Sequence, residues 1–302
     1  MQDALSTTVE CLWQANAELG EGLTYDPAND RIWFVDIKTR RLFRFDLAQR
    51  SRAIWSMPAQ ISAVTMPAPP WTSPRGGDTV LLAVGENGFA WLAIDGEDVH
   101  IEWIADPESH LPGNRFNDGK LGPDGRFYAG TMDDSETTAS GGLYVLDAGG
   151  RVAQLDRDFR VPNGPAFGRD GRTIYNNDSA LRRTYAYDRS SDGRLSNRRL
   201  LHEFAEADGY PDGMTTDLDG NLWIAMWDGC AILRLDRSGT KTGSMTVPVQ
   251  RPTNCVFAGP RRLVFTSAAI GVTQKTAMDG GLFCAYLGPR TADDDHALGG
   301  AQ

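Results

Sequence analysis

Short runs of four to six apolar and aromatic residues recur along the chain, bounded by Gly, Asp, Asn and Pro, and no stretch sustains a helical period. That pattern predicts an all-β chain. The segments "NDRIWFVD", "GGDTVLLAV", "DGRFYAG", "DGRTIYNND", "DGNLWIAM" and "PRRLVFTS" each put a turn signal before an apolar run. Most are followed by a second run, such as "RLFRFD", "GGLYVLD" or "CAILRLD". With Ile32, Leu81, Phe127, Ile174, Leu222 and Leu263 taken as equivalent, the repeat is 41 to 49 residues long, the size of one four-stranded propeller blade. The expectation is a six-bladed β-propeller of antiparallel blades. Val9 to Trp13 should supply the outer strand beside Gly281 to Leu287, so that both chain ends close one blade.

The repeat implies a single domain over residues 1–290 and a polar tail over 291–302, "TADDDHALGGAQ", expected to be disordered. The insertion "PAPPWTSPRGG" reads as a surface loop in the second repeat. A formal charge of -10 with scattered basic residues argues against nucleic-acid binding. No apolar run approaches membrane-spanning length, and the N-terminus has neither a basic start nor an apolar core, so a soluble cytoplasmic protein that is a monomer or small homo-oligomer is expected. Cys11, Cys230, Cys255 and Cys284 are widely spaced in apolar stretches and read as small core residues.

Candidate chemistry enters through "NRFNDGKLGPDGRFYAGTMDD", which holds two Asx-Gly pairs where a hairpin needs one. Asp124-Gly125 lies just before Phe127, as Asp170-Gly171 and Asp219-Gly220 lie before their own equivalents, and fits the hairpin turn. Asp118-Gly119 belongs to a second series. Counting back about ten residues from each equivalent position reaches Glu21, Asn117, Asn163, Asp212 and Asn254. The first strand of a blade is innermost, so these side chains should converge on one mouth of the channel; a slip of one residue in the alignment would turn them away. Two carboxylates with amide oxygens suit one hard divalent cation, calcium, magnesium or manganese, and are compatible with zinc or ferrous iron. Turn formation alone also explains Asn or Asp before Gly. Arg115, two residues before Asn117 on an extended strand, can present a guanidinium fork to the same mouth.

The motifs "LGEGLTYDPANDRIWFVDI", "RFNDGKLGPDGRFYAGTM", "VPNGPAFGRDGRTIYNNDS" and "YPDGMTTDLDGNLWIAMWDG" resemble those of the SMP-30/gluconolactonase family of regucalcin-like sugar lactonases, from about Leu19 to about Tyr286. The resemblance implies a six-bladed propeller with one divalent metal held by Glu21, Asn163 and Asp212, Arg115 and Asn117 as substrate contacts, and Asp212 as general base. Two departures stand out. Leu23 replaces the proline that usually follows the Glu-Gly of the first motif, and a substrate-contacting acid of some members aligns near Ser135, where this chain offers Asp133 and Asp134 instead.

The resemblance makes the expected reaction hydrolysis of an aldonic-acid lactone, such as a glucono-, galactono-, xylono- or arabinono-lactone. Rivals are a calcium-dependent esterase or phosphotriesterase on the same fold, and a non-catalytic propeller that binds a ligand or calcium. No Gly-x-Ser-x-Gly elbow is present, and His100, His110, His202 and His296 fall outside the rim series, so a covalent mechanism is not indicated.

Overall fold

The computed structural model describes residues 3–4 and 7–288; the tail over 291–302 lies outside them. Six sheets of four or five strands form the blades of a β-propeller. The innermost strands are, in order, Gly20–Asp26, Ile61–Thr65, Asn114–Leu121, Pro162–Phe167, Tyr210–Thr216 and Pro252–Phe257. Each packs against the inner strand of the next blade, and the sixth returns to the first, closing a ring. The sixth blade takes its outer strand from Thr7–Trp13, antiparallel to Leu282–Leu287, as the alternation of apolar residues predicts. Asp3–Ala4 adds a short parallel edge to the fifth blade, against Lys241–Thr246.

The second and third strands of each blade are apolar on both faces because both faces are covered by neighbouring blades. Between the sixth and first blades, Trp13, Phe34, Phe43, Phe45 and Tyr286 form one cluster, with Phe34 and Phe43 stacked at 4.6 Å. Equivalent clusters fill the other gaps, for example Phe89, Phe116 and Phe127 between the second and third blades. Each such ring contributes about 1.5–3 kcal/mol by leaving water. Outer strands face solvent on one side and alternate, as Arg52–Ser56 does.

The insertion in the second blade is anchored rather than loose. Trp71 packs edge-on to Trp91 and donates its indole N–H to Gly125 O at 2.5 Å, tying the loop to the hairpin turn of the third blade. No disulfide forms among the described residues; Cys255 and Cys284 are buried, but Cys230 is exposed, because it sits at positive φ in a turn rather than in a strand. No helix is long and apolar enough to cross a membrane among the described residues.

Candidate metal centre at the channel mouth

Every inner strand breaks register with its neighbour near the rim: between Glu21 and Thr24, Ile61 and Ala63, Phe116 and Asp118, Asn163 and Ala166, Pro211 and Met214, and Pro252 and Cys255. Such bulges swing a side chain out of strict alternation. They account for how Glu21, Arg115, Asn117, Asn163 and Asp212 come to line one cavity of about 360 Å³. In the second blade Ser62 stands at the slip, and its hydroxyl donates to Val84 O within its own blade.

The approach to two rim residues is fixed by carboxylates at the end of the adjoining strand. Asp36 accepts the N–H groups of Glu18 and Leu19 just before Glu21, and Asp178 accepts those of Arg160 and Val161 just before Asn163. Gly22 is required beside Glu21: at φ 59°, a Cβ there would lie 2.5 Å from Ala63 Cα and from Ser62 O.

Asn163 is oriented from behind. Its Nδ2 donates to Ser179 Oγ at 2.8 Å, and that hydroxyl donates to Pro211 O at 2.5 Å, which leaves Oδ1 facing Asn117 Nδ2 at 3.0 Å. Asn117 Nδ2 also donates to Pro162 O, while its Oδ1 accepts from Arg115 Nη1 at 3.0 Å. Arg115 is buried and donates from Nε to Asp134 Oδ1 at 2.5 Å; Lys38 lies 3.5 Å from the same oxygen. Asp134 thus backs Arg115. Asp133 is placed differently: its carboxylate accepts from the backbone and hydroxyls of Ser135, Thr137 and Thr138, wrapping its own loop, and those hydroxyls hold its pKa well below the usual range. It does not line the cavity.

Glu21 and Asp212 are each 6% exposed. Glu21 Oε2 accepts from Gly22 N–H at 3.1 Å and Asn254 Nδ2 at 3.4 Å, and burial, then the charge of Asp118, pushes its pKa up to about 8. Burial and the neighbouring charges of Glu21 and Asp118 likewise raise Asp212 well above the usual carboxylate range. Among the described residues neither carboxylate has a salt-bridge partner. Two desolvated carboxylates so placed are stable only when protonated or when a cation joins them. With the fixed Oδ1 of Asn163 they form an all-oxygen set matched to a dication. The described residues hold no group of three or more His, Cys, Asp or Glu side chains gathered as a metal cage; the donor set is two carboxylates and an amide, which leaves room for other ligands.

A deeper layer was not legible from spacing. Asp118 accepts from the N–H groups of Gly119 and Gly164 and from Asn254 Nδ2, so it links the third, fourth and sixth blades beneath the rim. Lys120, on the same strand, donates to Met214 O of the fifth blade at 2.8 Å. Burial raises the Asp118 pKa to about 6 against the pull of Lys120, and lowers that of Lys120. The alternation of Asp118 and Lys120 on one strand was the available signal, but only the bulge fixes which way they face.

Fold and rim together describe a propeller that gathers a cation-seeking oxygen cluster over its central channel. The chain belongs to the SMP-30/gluconolactonase/LRE-like family, whose pattern matches residues 19–269. It is 31% identical to regucalcin of Xenopus laevis over 278 residues, covering 89% of each chain. It is 33% identical to the pentonolactonase XacC of Haloferax volcanii over 255 residues, covering 84% of this chain and 82% of that one. Among solved structures, a calcium-binding regucalcin from Agrobacterium tumefaciens superposes with a TM-score of 0.84 at 28% identity, covering 95% of this chain and 96% of the other. A luciferin-regenerating enzyme does so with a TM-score of 0.85, also at 28% identity, covering 93% and 95%.

Proposed function

We propose that this chain hydrolyses the lactone of a sugar acid with one divalent cation at the channel mouth. The observation that carries this reading is the pair of buried, cation-less carboxylates Glu21 and Asp212 beside the oriented amide of Asn163. Family membership and similarity to a pentonolactonase support the reaction class.

Glu21, Asn163 and Asp212 would hold the cation, which when bound supplies Lewis acidity to the lactone carbonyl and lowers the pKa of water. Arg115 and Asn117 form one polar wall of the cavity. Asp134 and the Phe116 carbonyl lock the guanidinium in place, so its remaining N–H groups hold substrate oxygens, and Asn117 Oδ1 can accept a substrate hydroxyl, without further ordering cost. Asp212 accepts a proton from the attacking water as the oxygen bonds to the carbonyl carbon. The ring C–O bond then breaks, and that proton passes to the departing alkoxide to give the hydroxy acid.

The esterase alternative with a second buried channel ion has less support, since the Lys120 ammonium already stands beside Asp118 beneath the rim. The test is a pH-indicator assay of metal-stripped protein against glucono-, galactono-, xylono- and arabinono-lactones, with calcium, zinc, manganese, magnesium and ferrous ions restored singly. Turnover should return with at least one ion. Asp212→Asn should lower it by roughly 10²–10⁴-fold; full hydrolysis with full metal occupancy would remove Asp212 from the base role.

A further inference from the structure

The cavity wall carries two guanidinium groups with different commitments. Arg115 is bound to Asp134 and Asn117. Arg160, on the approach to the fourth inner strand, makes one side-chain hydrogen bond, from Nη2 to the backbone carbonyl of Glu136 at 3.2 Å. Close by in the fold, Arg182 follows the short helical turn Ser179–Leu181, whose Ser179 and Ala180 line the same cavity. Its guanidinium lies 4.1 Å from the ring centroid of Tyr210, another lining residue, and its Nε is buried without a hydrogen-bond partner. Among the described residues no carboxylate reaches salt-bridge distance of Arg160 or Arg182. Two acids lie nearby, Asp178, whose carboxylate holds the Arg160 and Val161 N–H groups, and the exposed Glu136, and neither pairs with either guanidinium.

The two arginines that line the cavity thus differ: Arg115 is neutralised by Asp134, and Arg160 has no carboxylate at salt-bridge distance among the described residues. A planar fork with free N–H groups matches a carboxylate bidentately. Resting on the lactonase reading above, we infer that the substrate is an anionic lactone bearing a second carboxylate, the monolactone of a sugar diacid, with Arg160 receiving that carboxylate. Ring opening at the rim would then release a dicarboxylate.

The test uses the metal-loaded full chain. Binding of glucarate and gluconate is measured by calorimetry, and kcat/KM is measured for glucaro-1,4-lactone and glucono-lactone, in wild type, Arg160→Gln and Arg160→Lys. Wild type should favour the dianionic member of each pair, Arg160→Gln should cut that preference roughly tenfold or more, and Arg160→Lys should keep much of it. Raising salt should weaken the preference as well. A preference for gluconate in wild type, no binding of either acid, or an unchanged glucarate-to-gluconate ratio in Arg160→Gln overturns the inference. Glucarate preference that depends on Arg160 in a protein that turns over no lactone would leave the anion site standing and remove the lactonase reading.

Discussion

Replacing Glu21 with Gln tests the electrostatic core of the site without any substrate. In metal-free protein the Glu21 carboxyl titrates near 8, against an ordinary value of 4.5, because burial and Asp118 disfavour its charged form. Between those two values the folded chain holds a proton that the unfolded chain releases. The slope of unfolding free energy with pH follows protons bound by the unfolded state minus those bound by the folded state, here negative. Stability from this group is therefore fully present below pH 4.5 and is lost as pH rises toward 8, by about 1.4 kcal/mol per pH unit. Glu21→Gln is neutral throughout and lacks that loss. Relative to wild type it should gain about 1.4 kcal/mol per unit from pH 5 to pH 8, roughly 4 kcal/mol over the range. Urea unfolding in a chelator at pH 5, 6, 7 and 8 measures the difference directly. Adding a divalent ion at 100 times its Kd should stabilise wild type by about 2.7 kcal/mol and the variant far less. Parallel pH profiles for the two chelated proteins would refute the reasoning, since they would mean that Glu21 is ionised and comfortable in the empty fold.

Other outcomes follow from the same geometry. Burial pushes the Glu21 carboxyl up to about 8 and raises Asp212 as well, so cation binding at neutral pH should release protons, read as a buffer-dependent enthalpy in calorimetry. Arg115→Lys cannot contact Asp134, Phe116 O and Asn117 together, and should lower kcat/KM for the preferred lactone by roughly 10–100-fold while metal stoichiometry stays the same. Gly22→Ala, which combines a positive φ with a 2.5 Å approach to the backbone of the second blade, should cost roughly 2–4 kcal/mol in urea unfolding. Phe34→Ala, which removes a fully buried ring stacked on Phe43, should cost roughly 3–5 kcal/mol.

The blade repeat was legible because every blade repeats the same turn-then-strand pattern, and the closing strand Thr7–Trp13 shows in the alternation of "VECLW". Four of the five residues of the rim series, Glu21, Asn117, Asn163 and Asp212, do line one cavity, whereas Asn254 turns its amide to Glu21 and Asp118 and does not. The second blade was silent because Ser62 is an ordinary strand residue and the loop insertion stretches the spacing. Asp118 and Lys120 escaped because period-two alternation breaks at the bulge, so neighbouring residues cannot be sorted into facing in or out from the sequence. Asp133 and Asp134 are adjacent and chemically identical, yet one wraps a loop and the other holds Arg115; only backbone direction separates them. Arg160 looks like any other surface arginine until its place on the cavity wall is seen.

The strand that closes the sixth blade sets the order in which the protein can be made. Thr7–Trp13 leaves the ribosome before the strands of the other blades, and its partner Leu282–Leu287 leaves after them. The earlier blades can pair their own strands during synthesis, but the ring stays open, with an unpaired edge on the nascent chain, until Leu282–Leu287 has emerged. Glu21, Asn163 and Asp212 emerge at widely separated times and share one rim only once the circle closes, so the closed ring, and not any growing fragment, is the first species to present all three together.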